Sequence, residues 1–300
     1  MYILELFLQK LDKYLSDETI TEFSIIKDGE IRCRKFSGER MTIFDKNIDR
    51  QYLQSLSRII ATKQNRNIAD IDNFSEELQL SYKDNIHRIS TEFGGLRQDG
   101  FVFTIRLKRN YNICFEDFQM NEKTKNIILD SLKNKKNILI SAGTNTGKTT
   151  FINALLKKEE DKSKTLITIE NTREIDHKDF EFAYSYIYDN DNEESVMKAY
   201  NKCLRSTPDI LILGEIRQES AKAFLNIINS GHDGTISTIH ASSTNGAIEQ
   251  LTSYIIAINK NMNRDEVRTK IESGLDLIIQ LEKTIINNKP QVKIKEIKLL

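Results

Sequence analysis

The spacing of apolar and polar positions divides the chain into two halves that predict different kinds of structure. In the first half, short runs bounded by turn-forming residues indicate strands. Two stretches have helical spacing instead: residues 1–15, whose apolar side chains share one face, and residues 48–63. The predicted strands cover residues 21–26, 30–36, 41–44, 78–82, 86–91 and 101–107. We therefore expect a small α+β domain over residues 1–110.

Strands alternate with helices in the second half, which is typical of a mostly parallel sheet covered by helices on both faces. The predicted strands cover residues 137–141, 165–169, 209–213 and 235–239, and the predicted helices cover 121–135, 150–156, 193–204, 219–228 and 244–258. Residues 275–281 and 291–297 predict a β-hairpin around Asn287-Asn288. Periodicity is lost over residues 111–120, which predicts a linker before an α/β domain at residues 121–300.

The composition narrows the class of protein without identifying it. A chain of 300 residues with 39% hydrophobic and 29% charged residues is typical of soluble proteins with two globular domains. The formal net charge is zero, so we expect no direct nucleic-acid binding. Cys33, Cys114 and Cys203 are far apart, which favours a reducing compartment and gives no C-x-x-C metal site. Because no apolar run reaches about 20 residues and the first helix carries charges, we expect a cytoplasmic protein.

Residues 137–150, NILISAGTNTGKTT, predict a strand, a glycine-containing loop and a helix, which is the context of a phosphate-binding loop. Backbone N–H groups and the positive end of the helix favour a phosphate there. Lys148, expected to face solvent, would reach the β- and γ-phosphates of ATP, and the Thr149 hydroxyl would ligate Mg²⁺. The predicted nucleotide-binding residues are Gly143, Thr144, Asn145, Thr146, Gly147, Lys148, Thr149 and Thr150.

Ala142 departs from the strict loop pattern, which has glycine at that position. A methyl group there penalises a positive φ, and such a penalty would weaken nucleotide binding. The alternative interpretation is a chance Gly-Lys-Thr in a polar loop. The acidic residues and histidines further along the chain favour the nucleotide site.

Two predicted strands end in an acidic residue. Glu215 follows the apolar run 210–213, where an unpaired carboxylate in a sheet crevice is costly. We therefore expect Glu215 to orient the attacking water or to hold a water of the Mg²⁺ shell. Glu170 follows a second apolar run and joins Thr149 and Glu215 as a predicted metal-site residue. The alternatives are a solvated strand end and a solvated loop acid.

Two of the four histidines flank a single predicted strand. His232 and His240 lie at opposite ends of that strand, so they cannot share one metal ion. His240 is at the carboxyl end, where we expect it to contact the γ-phosphate or the attacking water. The alternative is an ordinary structural histidine.

Four segments together resemble the catalytic core of the secretion-superfamily ATPases, and most of all the hexameric traffic ATPases of type IV secretion systems. The segments are ISAGTNTGKTTF, TIENTREI, LRSTPDILILGEIR and SGHDGTISTIHA. The resemblance implies a RecA-like P-loop domain in which Lys148, Thr149, Glu170, Glu215 and His240 have the roles given above. Besides Ala142, the chain departs from the family at Asn171, where an aspartate usually follows the glutamate.

The first half resembles the same family more weakly, in ITEFSIIKDGEIRCR, HRIS and FVFTIR. In this family, arginines of the N-terminal domain reach the nucleotide. Arg88 and Arg106 match those positions loosely, and a cation at the phosphates favours phosphoryl transfer. The alternative for each is an ordinary surface arginine.

The resemblance implies Mg²⁺-dependent ATP hydrolysis by a homohexameric ring at the cytoplasmic face of a bacterial inner membrane. The implied partners are other copies of the chain and inner-membrane components of the secretion system, with peripheral membrane contact. One alternative is a pilus assembly or retraction motor. The C-terminal hairpin and the lack of a tetracysteine zinc module argue against it. A non-catalytic, nucleotide-gated docking protein is the other alternative, supported only by Ala142. The sequence does not identify the transported substrate.

Overall fold

The computed structural model describes residues 2–83, 85–94, 100–109, 113–188, 193–286 and 289–300. The chain divides into a first unit of residues 1–112 and 286–290 and a second unit of residues 113–285 and 291–300. The predicted turn at Asn287-Asn288 and positions 111 and 112 of the predicted linker lie outside the described residues. No helix in the described ranges is long and apolar enough to cross a membrane.

The first unit is built around one antiparallel sheet. Its strands are β1 (Ile20–Lys27), β2 (Glu30–Lys35), β3 (Arg40–Phe44), β4 (Phe74–Tyr82), β5 (Asn85–Phe93) and β6 (Phe101–Arg106), in the spatial order β3-β2-β1-β6-β5-β4. Its helices are α1 (Tyr2–Gln9), α2 (Asp12–Leu15) and α3 (Arg50–Lys63). All neighbouring strands pair in antiparallel register, as expected for an α+β architecture.

The alternation of side chains along these strands gives the sheet one apolar face. Phe23 of β1, Ile89 of β5 and both Phe103 and Ile105 of β6 are buried in a core that also contains the apolar faces of the helices. The apolar face of the first fifteen residues is therefore buried within its own unit. The side chains between these positions lie on the opposite face of the sheet.

The first fifteen residues form two helices rather than the single helix predicted. The hydroxyl of Tyr52 donates a 2.6 Å hydrogen bond to the carbonyl of Phe7, which would otherwise accept from the N–H of Leu11. Leu11 instead donates to the carbonyl of Leu8, and α2 begins after it. The break after α1 thus coincides with a contact made by a residue 45 positions away along the chain.

The second unit contains a seven-stranded sheet in the order β13-β12-β7-β11-β10-β8-β9. Its strands are β7 (Ile138–Ser141), β8 (Thr165–Glu170), β9 (Phe182–Ile187), β10 (Ile210–Ile216), β11 (Thr235–Ile239), β12 (Leu277–Ile286) and β13 (Lys289–Leu299), and the pairings from β12 to β9 are all parallel. Its helices are α4 (Glu122–Lys133), α5 (Lys148–Leu156), α6 (Glu193–Leu204), α7 (Gln218–Ile228), α8 (Thr244–Ile258) and α9 (Arg264–Gly274). Apolar clusters cover both faces, so the prediction of a mostly parallel, doubly covered sheet is confirmed.

Two elements of this unit were not predicted. In β9, exposed and partly buried side chains occur on both faces, so the strand lacks the strict alternation that would indicate it. In α9 only Val267, Ile271 and Gly274 are buried among mostly charged residues, so its apolar stripe is narrow. Strand β10 also extends to Ile216, and Glu215 therefore lies within the strand rather than after it.

The segment predicted as a linker contributes to the core of the second unit. Phe115, in a 3-10 helix, and Phe118 are both buried against Phe151 of α5, with ring centroids 5.7 and 4.9 Å apart. The backbone of Gln119 then bonds to β13, through the carbonyl of Val292 and the N–H of Ile294. Aromatic side chains without periodicity gave no sign of this packing in the sequence.

Candidate active site

The loop between β7 and α5 has the backbone of an anion-binding turn. Residues 143–146 form the loop, Gly147 precedes α5 with φ of +100°, and Lys148, Thr149 and Thr150 make up the first turn of that helix. The positive φ at Gly147 requires glycine, because a side chain would be strained there. The N–H groups at the start of α5 have no partner within the helix, so they are available to an anion.

Ala142 causes no backbone strain. It is fully buried, its φ is not positive, and its N–H donates to the carbonyl of Ile239 at 3.2 Å, so it continues the pairing of β7 with β11. The penalty that the sequence suggested for a methyl group at this position depends on a positive φ, which is absent. The departure from the glycine pattern therefore does not distort the loop.

The side chains of Lys148, Glu215 and His240 meet at the carboxyl edge of the parallel sheet. The ammonium nitrogen of Lys148 lies 3.0 Å from Nδ1 and 3.1 Å from Nε2 of His240, and 4.0 Å from Oε1 of Glu215. His240 Nε2 is 2.8 Å from the same carboxylate oxygen. Lys148 is only 8% exposed, so the expectation that it faces solvent is wrong. Its charge is instead held among these groups at the base of the loop.

Arg217 completes this cluster and was not singled out from the sequence. Its Nε donates to the second carboxylate oxygen of Glu215 at 2.8 Å. Burial alone would raise the pKa of Glu215, but the hydrogen bond from His240 and the charge of Arg217 outweigh it and lower the pKa to about 2. Glu215 is therefore ionised at every physiological pH.

The second acidic segment contacts the loop through Glu174. The hydroxyl of Thr149 donates to Glu174 Oε2 at 2.9 Å, and Asn153 of α5 holds the Glu174 carbonyl at 3.1 Å. The sequence prediction favoured Glu170, because it directly follows the apolar run. A hydroxyl beside a carboxylate provides two oxygen ligands of the kind that Mg²⁺ prefers when phosphates supply others.

Glu170 is engaged within the protein. It is 3% exposed, its Oε1 accepts from the N–H groups of Glu174 and Ile175 at 2.8 and 3.0 Å, and its Oε2 accepts from the Thr168 hydroxyl at 2.9 Å. Burial raises the pKa of its carboxyl, and these hydrogen bonds oppose the rise. The geometry gives Glu170 the role of fixing the turn that presents Glu174.

The remaining predicted residues lie away from this cluster or in the other unit. His232 precedes β11 and so lies at the opposite end of that strand from His240 of the cluster, as expected. Arg88 and Arg106 lie in the first unit, directly opposite each other on β5 and β6, on the face of the sheet turned away from the core. In the described parts of the chain, no group of three or more His, Cys, Asp or Glu side chains is arranged to hold a metal ion by itself.

Comparison with known proteins identifies relatives of most of this chain. A family model described as "Type II/IV secretion system protein" matches residues 88–296. The type IV secretion system protein VirB11 of Bartonella quintana is 33% identical over 169 residues, which cover 54% of this chain and 47% of the relative. VirB11 of Brucella suis is 26% identical over 83% of this chain and 76% of its own length. Conjugal transfer protein TrbB of Rhizobium radiobacter is 27% identical over 71% of this chain and 69% of its own length.

Solved structures share the fold at lower identity. The pilus retraction motor PilT with bound ADP superposes with a TM-score of 0.68 at 18% identity, covering 97% of this chain and 82% of PilT. The ATPase DotB of Legionella pneumophila superposes with a TM-score of 0.67 at 17% identity, covering 96% of this chain and 79% of DotB. VirB11 of Brucella suis, in complex with sulphate, superposes with a TM-score of 0.53 at 20% identity, covering 99% of this chain and 94% of that structure. The match to the Bartonella protein spans about half of that relative's length, and these structural matches bear on the fold alone.

Proposed function

The chain belongs to the type II/IV secretion system protein family, and we propose that it hydrolyses ATP with Mg²⁺ to drive or gate a type IV secretion apparatus. The observation that supports hydrolysis most directly is the cluster of Lys148, Glu215 and His240 beside the loop between β7 and α5. Cation, carboxylate and oriented N–H groups at one edge are the parts that phosphoryl transfer requires.

Each side chain in the cluster has a distinct role in this proposal. Lys148 supplies positive charge to the β- and γ-phosphates, together with the N–H groups at the start of α5. Mg²⁺, when bound, neutralises phosphate charge, and the Thr149 hydroxyl and the Glu174 carboxylate are the groups that would hold it. These two oxygens are already adjacent, so the residues present fit the ion.

Glu215 is proposed to orient the attacking water. Because its pKa is about 2, it is an acceptor at neutral pH and positions the water through a hydrogen bond rather than through easy removal of its proton. His240 and Arg217 hold its two oxygens in place, which fixes the carboxylate direction. When phosphate binds, Lys148 would leave His240 and Glu215 and contact phosphate oxygens instead. Phosphate binding would therefore remove one of the contacts that hold Glu215.

The wider role is proposed from the relatives. The VirB11 and TrbB proteins are named for type IV secretion and conjugal transfer, which favours a role in such an apparatus. The proposal that the chain acts as a cytoplasmic homohexamer docked on inner-membrane components rests on the resemblance of its motifs to the traffic ATPases. Likeness to the pilus motor concerns the fold alone, so no specific observation favours a pilus role. The docking-protein alternative depended on strain at Ala142, and Ala142 is unstrained.

The test is phosphate release by the purified full chain with ATP, with Mg²⁺ present or with EDTA. We expect steady turnover that requires Mg²⁺, and a sedimenting hexamer in the presence of a non-hydrolysable ATP analogue. Tight ATP binding without turnover in either condition would contradict hydrolysis and support the docking protein. Turnover from a species that remains monomeric would contradict the ring.

A further inference from the structure

The parallel sheet of the second unit has two edges, and the structure protects them differently. An edge strand presents unpaired N–H and C=O groups that can accept a strand from another chain. Natural proteins protect such edges with lysines, with covering segments or with irregular geometry. In this sheet the edge strands are β13 and β9.

The edge formed by β13 is covered and charged. The backbone of Gln119 bonds to the carbonyl of Val292 at 3.0 Å and to the N–H of Ile294 at 2.9 Å, so part of the strand already has a partner. Lys293 and Lys295 project from the same strand and pair with Glu282 at 2.9 and 3.5 Å. A further strand would have to displace Gln119 and pass these charges.

Among the described residues, the edge formed by β9 has neither a covering segment nor a charged side chain of its own. Its sequence, FAYSYI, contains no charged residue and no proline, and no described strand pairs with its outer side. Phe182 is 61% exposed and Tyr184 38% exposed on one face, and Ile187 is also exposed. A strand end with open backbone groups and exposed aromatic rings is either an aggregation hazard or an interface.

The start of β9 is acidic. Asp179 and Glu181 lie within three residues before the strand, with Lys178 next to Asp179, and in the described part of the chain no lysine or arginine forms an ion pair with either acid. Lys162, whose carbonyl accepts from the N–H of Glu181, directs its ammonium to the carbonyl of Leu156 and over the ring of Phe180. A partner carrying basic residues beside this end would complement the charge, whereas an acidic one would be repelled.

We propose that β9 is a docking edge that accepts an extended, basic segment of a partner protein as an eighth strand of this sheet. Backbone hydrogen bonds to β9 provide affinity, as in other cases of strand addition. Apolar side chains of the segment pack on Phe182 and Tyr184, and its lysines or arginines lie beside Asp179 and Glu181. This interaction does not depend on the proposed ATP hydrolysis.

The occupant is inferred to be another protein rather than a second copy of this chain. Pairing β9 of one copy with β13 of the next would require the edge that Gln119 covers. Of the two edge strands of the first unit's sheet, β4 has Glu76 and Glu77 and would bring like charge to Asp179 and Glu181. The other edge strand, β3, has one arginine, Arg40, but Glu39 precedes it and Asp45 follows the strand, so it too would bring carboxylates. A basic segment avoids both obstacles.

The test uses a fluorescent peptide of about ten residues with alternating lysine and valine, titrated into the full chain and followed by anisotropy. A peptide with glutamate in place of lysine is its control. The edge is disrupted in one variant by Phe182→Lys with Tyr184→Lys and in a second by Glu181→Lys. Phe44→Lys, at a residue 79% exposed on the edge strand β3, is the matched control.

We expect saturable binding of the lysine peptide, weakened by at least about tenfold in both β9 variants and unchanged in Phe44→Lys. Hydrogen exchange should slow at β9 amides when the peptide binds, because those N–H groups gain partners. No saturable binding, or equal weakening by Phe44→Lys, would overturn the proposal. A wild-type oligomer that the Phe182→Lys, Tyr184→Lys variant dissociates would also overturn it, by assigning the edge to a second copy. Unchanged circular dichroism and ATP turnover would separate these outcomes from misfolding.

Discussion

The antiparallel sheet of the first unit and the parallel sheet of the second place their polar residues in different ways. In the antiparallel sheet, polar side chains spread over a whole face, so Arg88 and Arg106 are neighbours only through strand pairing. In the second unit's sheet, the parallel strands from β12 to β9 all end at the same edge, which brings Lys148 to His240 across 92 residues of sequence. The carboxyl edge therefore gathers side chains from separate motifs, whereas the antiparallel face does not.

This difference predicts that substitutions at the parallel edge change chemistry, whereas substitutions in the antiparallel core change stability. The largest effect is expected from Lys148→Ala, which removes the cation facing the phosphates. Hydrolysis should fall by about 10³-fold, the upper end of what one electrostatic contact to the transition state supplies. Phosphate release is the measurement, and Lys157→Ala, at an exposed lysine after the end of α5, is the matched control. Turnover equal to that of the wild type would contradict the assignment of residues 143–150 as a phosphate-binding loop.

Glu215→Gln tests the same edge with less disturbance. The amide keeps the size of the side chain but loses the charge that orients water, so turnover should fall by about 10²–10³-fold while ATP still binds. Single-turnover hydrolysis and equilibrium binding of a fluorescent ATP analogue separate the two effects. If binding is lost as severely as hydrolysis, Glu215 is instead needed for the nucleotide site itself.

Phe103→Ala tests the antiparallel core. Phe103 is fully buried on β6, and its truncation should lower the free energy of unfolding of the first unit by about 3–5 kcal/mol. Urea unfolding followed by far-UV circular dichroism measures this loss. The comparison between the units predicts that Glu215→Gln leaves the same transition in place, and a similar shift in both variants would contradict it.

His87 makes the stability of the first unit depend on pH. It is buried, and its Nδ1 accepts a 3.1 Å hydrogen bond from the backbone N–H of Lys108. Burial, with the charge of Arg109 adding to it, lowers the pKa of His87 from 6.5 to about 4. The unfolded state therefore takes up the proton first, and the free energy of unfolding should fall as pH drops from about 6.5 to 4, by up to about 3 kcal/mol.

Thermal unfolding across that pH window measures the effect, and His87→Gln is the control because it cannot be protonated. The variant should lose part of the slope between pH 6.5 and 4 while keeping the slope below 4, where carboxylates titrate. An identical pH profile in both proteins would show that His87 is not the group responsible.

The smallest effect is expected from Glu174→Gln, which weakens one proposed ligand of Mg²⁺ without removing the lysine. The concentration of Mg²⁺ needed for half-maximal turnover should rise by about tenfold, with little change in turnover at saturating metal. Glu181→Gln, at an exposed acid before β9, is the matched control. A large loss of turnover that excess Mg²⁺ does not restore would give Glu174 a role in chemistry instead.

The sequence predicted the fold well where periodicity is strong. Helices α6 and α8 and strand β11 have the predicted bounds, because their apolar spacing continues to their ends. It failed for β9 and α9, whose apolar residues are too few or lie on both faces. It also failed at Phe115 and Phe118, where packing depends on a distant partner, Phe151.

The sequence indicated which residues make up the candidate site but not which of them contact one another. The motifs identified Lys148, Glu215 and His240 because their spacing places each near the carboxyl edge of the predicted parallel sheet. Arg217 and Glu174 could not be chosen from spacing, since they lie two and four positions after the more conspicuous acids Glu215 and Glu170. Which carboxylate turns toward Thr149 is decided by side-chain direction and by the backbone N–H groups that hold Glu170.

The position of β7 between β11 and β12 bears on how the chain emerges from the ribosome. The strand leading into the phosphate loop has one neighbour, β12, that is synthesised long afterwards, and Asn137 beside it bonds to the carbonyl of Gly274, 137 residues later. Nascent chains that stop before β12 leave that side of β7 without its partner. The loop therefore acquires its final support only after β12 has been synthesised, whereas the strands of the first unit lie within the first 106 residues and can pair earlier.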